Sequence, residues 1–161
     1  MNRALIASAA YSGVVGGGAA ALCDVLGWRS WALFLVWTAY ALFGGRWRSG
    51  LKMYASFVAG IACGSLVRLT EDALAPLGPL APALAVGTAI FLLSLLADDP
   101  PLSDVPAYFL GAIAVFATGH PPSLGLALSL ILPGAAGLSV GWVTTRGGAV
   151  ITTRLAPDRP S

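Results

Sequence analysis

Charge is what this sequence has least of. Asp, Glu, Lys and Arg make up 10% of its 161 residues, against roughly a quarter in soluble domains. That scarcity excludes a water-soluble enzyme domain. Nine basic and seven acidic residues leave a net charge of +2, so no basic stripe exists to hold a nucleic-acid backbone. There are two cysteines, Cys23 and Cys63, each in an apolar run, and one histidine. Neither a disulfide framework nor a clustered zinc site can be built from these. No Ser/His/Asp set, Cys/His pair or phosphate-binding loop is present, so neither an enzyme nor a cofactor is expected.

What the chain has in abundance is apolar surface: 57% hydrophobic residues and a mean hydropathy of +0.82. Twenty Gly and eleven Pro do not signal disorder here, because disordered chains are poor in Leu, Ile, Val and Phe. The composition is that of an integral membrane protein. Arg3 followed by an apolar run resembles the start of a signal peptide, and Ala20-Ala21-Leu22-Cys23 a lipoprotein box, but Leu before Cys is too large for that cleavage. A retained first transmembrane helix is expected instead.

A membrane-spanning helix takes about 20 mostly apolar residues. Six runs qualify: about Ala4 to Val25, Trp28 to Phe43, Leu51 to Leu69, Leu77 to Ala97, Val105 to Thr118, and Leu124 to Val143. Gly44-Gly45-Arg46-Trp47-Arg48, Asp98-Asp99-Pro100-Pro101 and Gly119-His120-Pro121-Pro122 punctuate them, as turn residues should. One transmembrane domain over about 1–145 and a polar cytoplasmic tail over 146–161 follow. With six spans, seven of the nine basic residues (Arg3, Arg46, Arg48, Lys52, Arg146, Arg154, Arg159) fall on one side, leaving Arg29 and Arg68 on the other. Both termini should face the cytoplasm, with Asp24 and His120 outward.

The sequence also echoes itself. When it is laid over itself so that Phe34-Leu35 falls on Phe109-Leu110, Ala39 falls on Ala114, Gly44 on Gly119 and Gly50-Leu51 on Gly125-Leu126 without a gap. From Trp31 to Leu66 this register gives 7 identities over 36 pairs. Three spans per half is odd, so halves of about 1–72 and 73–145 would lie in opposite orientation. The expected fold is an all-α membrane protein with six transmembrane helices as an inverted 3+3 repeat.

Short or Gly-interrupted spans in matching positions of two halves point to a permeation site, or simply to helices that thin the bilayer. The second helix of each half is of this kind. Candidate pore-lining or binding residues are therefore Trp37, Thr38, Tyr40, Phe43 and Gly44 in the first half, and Phe116, Thr118, Gly119 and His120 in the second. Trp37 and Tyr40 serve equally as core or subunit-contact residues, and His120 as a loop residue, a gate or a proton sensor. At Gly44 and Gly119 the helix ends would free carbonyls that only protein or water can satisfy. Gly13 and Gly17, Gly60 and Gly64, and Gly137 and Gly141 have helix-packing spacing, predicting dense packing among helices one, three and six.

No Asp, Glu, Lys or Arg lies well inside a span, which disfavours ion coupling. The sequence thus predicts a passive channel or facilitator for a small neutral solute of unknown identity. The alternative is a non-transporting membrane protein acting through a partner or through self-association. A polar seam between the halves would favour the first, and a seam plugged by Leu and Phe the second. A homo-oligomer in the lipid bilayer is expected in either case.

Ser30-Trp31-Ala32-Leu33-Phe34, Thr38-Ala39-Tyr40-Ala41 and Gly44-Gly45 form one distinctive stretch. Val105-Pro106, Phe109-Leu110-Gly111-Ala112 and Phe116-Ala117-Thr118-Gly119 form a second, and Leu126-Ala127-Leu128 with Gly137 and Gly141 a third. Together they resemble the YcdZ-type family of small bacterial inner-membrane proteins, catalogued as domain of unknown function 1097. The resemblance implies a six-helix bacterial inner-membrane protein and offers no substrate or catalytic residue to carry over.

Overall fold

The helices of this chain are apolar nearly all round, so packing is decided by where small residues let backbones approach rather than by a single apolar stripe. The computed structural model describes residues 3–95 and 104–155. It contains six α-helices: α1 (Arg3–Val25), α2 (Ser30–Leu42), α3 (Trp47–Ala73), α4 (Leu80–Leu95), α5 (Val105–Thr118) and α6 (Leu124–Leu155), with a 3₁₀ turn over Ala75–Leu77. Three of them, α1, α3 and α6, are long and apolar enough to cross a membrane, whereas α2, α4 and α5 are shorter apolar helices.

Two close helix pairs form the centre. α3 packs along α5, and α6 packs along α2. A Cβ at Gly60 would overlap the Tyr108 carbonyl, one at Gly111 the Phe57 carbonyl, and one at Gly137 the Leu33 carbonyl. Glycine is required at such points because no side chain fits between the backbones. α1 lies on α6, and α4 lies on α3. The register that lays Phe34 over Phe109 turns α2 into α5 and α3 into α6. Each of these pairings then maps onto another: α3 with α5 onto α6 with α2, and α1 with α6 onto α4 with α3. Leu33 and Tyr108, whose carbonyls each receive a glycine of a long helix, are themselves counterparts in that register.

The buried core runs between these four central helices and includes Val36, Tyr40, Met53, Phe57, Ile61, Val115 and Leu130. Pro133 lies buried inside α6, and the neighbouring Gly134 gives room to Phe57, Tyr54 and Val36.

Two expectations are corrected. The glycines do not knit helices one, three and six together: among the described residues α1 does not touch α3, and Gly13 and Gly17 face open space. The glycine of α1 that packs is Gly16, against the Trp37 ring. Gly60 and Gly64 serve α5, and Gly137 and Gly141 serve α2. Small-residue spacing marks a face without naming what meets it. Likewise, the polar tail expected from residue 146 does not begin where the helix ends, because α6 continues to Leu155. The Tyr11 ring lies against Gly147, and Ser8 lies against Gly148, while Thr152 and Thr153 donate back to the Gly148 and Ala149 carbonyls. Residues 156–161 of the expected tail lie outside the described residues, as do Asp98-Asp99-Pro100-Pro101.

Candidate functional site

Both short helices end on glycine in the left-handed region, Gly44 at φ +87° and Gly119 at φ +65°. A residue with a Cβ is strained there, whereas Gly lets the chain turn at once. The carbonyls freed at these ends are met by the protein itself. The Tyr40 hydroxyl donates to the Gly45 carbonyl at 2.6 Å. The Thr118 hydroxyl donates to the Val115 carbonyl at 2.7 Å, and the His120 ring Nδ1 lies 2.5 Å from the Thr118 carbonyl oxygen. The His120 backbone N–H adds a bond to the Thr118 hydroxyl at 3.2 Å. Thr118 and His120 thus act as a local cap.

The structure distributes the nine candidate residues over different surroundings. Trp37 is half-buried, stacked on Phe34 with centroids 5.8 Å apart and set against Gly16 of α1. Tyr40 is 1% exposed, its ring lodged against Gly50 and Gly141. Phe43 packs on the edge of the core. Phe116 carries the Arg68 guanidinium 5.1 Å above its ring. Thr118 is buried, while Gly44, Gly119 and His120 are exposed. Thr38 also faces outward, in a shallow apolar groove between α2 and α5 shared with Trp31, Phe34, Leu42 and Leu110.

Between the halves, the seam is filled by Val36, Met53, Phe57, Ile61, Val115 and Leu130, each 2% exposed or less. Apart from the tyrosines Tyr40 and Tyr108, the buried polar side chains among the described residues are Ser56, Thr118 and Thr144. The Thr118 and Thr144 hydroxyls are turned onto their own helices. No described group of His, Cys, Asp and Glu could hold a metal ion.

Charge collects at helix ends. Lys52 pairs with Asp104 at 3.5 Å, bringing the start of α3 to the start of α5. Trp47 meets Trp142 edge-on at 6.0 Å, Arg146 lies 6.0 Å over the Trp142 ring, and the Gly45 turn abuts Thr145. The end of α2, the start of α3 and the later turns of α6 therefore share one end of the bundle. Arg68 and Glu71, 3.4 Å apart, lie with Phe116 at the other.

Several contacts escaped the sequence reading. The Tyr54 hydroxyl donates to the Ile131 carbonyl at 2.7 Å and ties α3 to α6; a tyrosine inside an apolar span was the available signal, since its polar tip needs a partner. Gly111 and Gly134 sit in tight contacts without the four-residue spacing that singled out the other glycines.

The fold is that of an all-helical protein with three helices of membrane-crossing length and a solidly packed apolar centre. The chain belongs to the family described as "Protein of unknown function (DUF1097)", whose model matches residues 9–149. No curated protein and no solved structure matches it.

Proposed function

We propose that this chain is a six-span bacterial inner-membrane protein built as an inverted 3+3 repeat, which acts through self-association rather than by conducting a solute through its own centre. The filled seam between the halves carries this reading. A pathway needs polar groups or water along its length, and Val36, Phe57, Ile61 and Leu130 occupy the place where it would run.

The repeat draws support from the correspondence of α2 with α5, of their terminal glycines, and of their packing neighbours. Cytoplasmic termini draw support from the basic end of the bundle, where Arg46, Arg48, Lys52 and Arg146 gather. Self-association draws support from helix length. α2 and α5 have 13 and 14 residues, or about 20 Å at 1.5 Å per residue, against a hydrocarbon core of about 30 Å. Oligomerisation is one way a short span relieves such mismatch, and the exposed groove between these two helices offers the contact.

A facilitator remains as a second reading in one form, a path between copies, because the exposed Thr38 puts a hydroxyl-bearing residue in the lining of that same groove. Proteoliposomes tested with a panel of small neutral and ionic solutes, alongside cross-linking in native membranes, separate the two. The proposal expects cross-linked oligomers and no flux above that of empty vesicles. Flux abolished by Thr38→Trp would overturn it in favour of the path between copies.

A further inference from the structure

Ala112 is the counterpart of Trp37 in the repeat register, yet the two positions are filled very differently. In the first half the Trp37 indole occupies the space between α2 and α1, against Gly16. In the second half Ala112 leaves that space open. Phe91, the counterpart of Gly16, does not fill it either, being 63% exposed. The result is an apolar groove bounded by α3, α4 and α5. It consists of two adjoining chambers of about 220 Å³ and 250 Å³ that share Cys63, Val67, Ala89 and Leu93 as walls.

One end of the groove is walled by Phe116, and across that ring lies Arg68. Its terminal nitrogen is 3.4 Å from Glu71, so the pair carries no net charge, but its Nε is buried without any acceptor. Buried donors are nearly always paired, and this one belongs to a partly exposed side chain that lies on Phe116, a wall residue of the groove.

We infer that the α3–α4–α5 groove binds the hydrocarbon chain of a neutral amphiphile whose head group supplies a hydrogen-bond acceptor to Arg68. Neutrality follows from Glu71, which already balances the guanidinium and would repel an anionic head. The chain class follows from the walls, which are almost entirely apolar. The inference rests on the repeat correspondence of the preceding section and is independent of whether any solute is conducted.

Cys63 lines both chambers and so reports occupancy. In a Cys23→Ala background in nanodiscs of phosphatidylglycerol, whose head group is anionic, alkylation of Cys63 by N-ethylmaleimide is followed by mass with and without added monoolein. Monoolein is expected to slow the reaction about tenfold, and Arg68→Leu to remove most of that protection, as loss of one buried hydrogen bond would. Ala112→Trp should fill the groove as Trp37 does and abolish the monoolein dependence. If that variant does not fold, Ala89→Leu narrows the same groove from α4 and should do likewise. Unchanged Cys63 alkylation in folded protein overturns the inference. So does equal protection by hexadecane, which has no head group, or by ionised oleate. Flux into proteoliposomes and cross-linking in native membranes are separate measurements that neither result decides, so this inference and the proposed function fail separately.

Discussion

At the scale of single residues, glycine and tyrosine decide most. Gly137 and Gly60 lie where a single methyl would strike a backbone carbonyl, so Gly137→Ala should cost about 1–3 kcal/mol by overpacking. Gly13 faces open space, and Gly13→Ala should be neutral or stabilise by roughly 0.5–1 kcal/mol through helix propensity. Thermal melting of the two variants in a mild detergent checks the contrast, and equal melting would show that the α6–α2 contact is looser than described. Tyr40→Phe keeps the ring but leaves the Gly45 carbonyl without its donor, with an expected loss of about 1–3 kcal/mol in the same measurement. Tyr40, Gly13, Gly60 and Gly137 were visible in the sequence as candidates. That Tyr40 bonds to the turn beyond its own helix was not, because this needs the chain to have doubled back at Gly44. Nor could Gly16 be told from Gly13 and Gly17, since α1 is glycine-rich over Gly16-Gly17-Gly18 and only the Trp37 ring selects one of them.

At the scale of elements, the short helices were the most legible, because Gly44 and Gly119 mark their ends in the sequence and break the helix in space. The end of α6 was the least legible: Arg146 and Gly147-Gly148 resemble the start of a polar tail, and only the docking of Tyr11 and Ser8 explains why the helix continues. Truncation after Thr145 is therefore expected to loosen α1, seen as faster amide exchange over its first turns, while α3 and α5 keep their protection. Uniform exchange in both helix sets would mean that α1 is held elsewhere. The Lys52–Asp104 pair also joins two elements, but Lys52 is partly exposed, and Lys52→Ala should change stability by no more than about 1 kcal/mol.

At the scale of the whole molecule, the proposed inversion makes a topological prediction. Cysteines are introduced at Ser49, in the first turn of α3, and at Ser123, just before α6, in a chain freed of Cys23 and Cys63. The two should be labelled from opposite sides of the membrane. Labelling of both from one side would show that α2 and α5 do not run in opposite senses across the bilayer. The interlocking of the halves carries a further consequence in time. Synthesis proceeds from the N-terminus, yet α1 and α2 find their main neighbours on α6, and α3 finds its own on α5. The first three helices therefore leave the ribosome with their main contact faces uncovered, α3 until α5 is made and α1 and α2 until α6 is made. Neither α1–α3 nor α4–α6 is a completed packing unit when it is alone, and the core closes only when α6 arrives to meet α1 and α2.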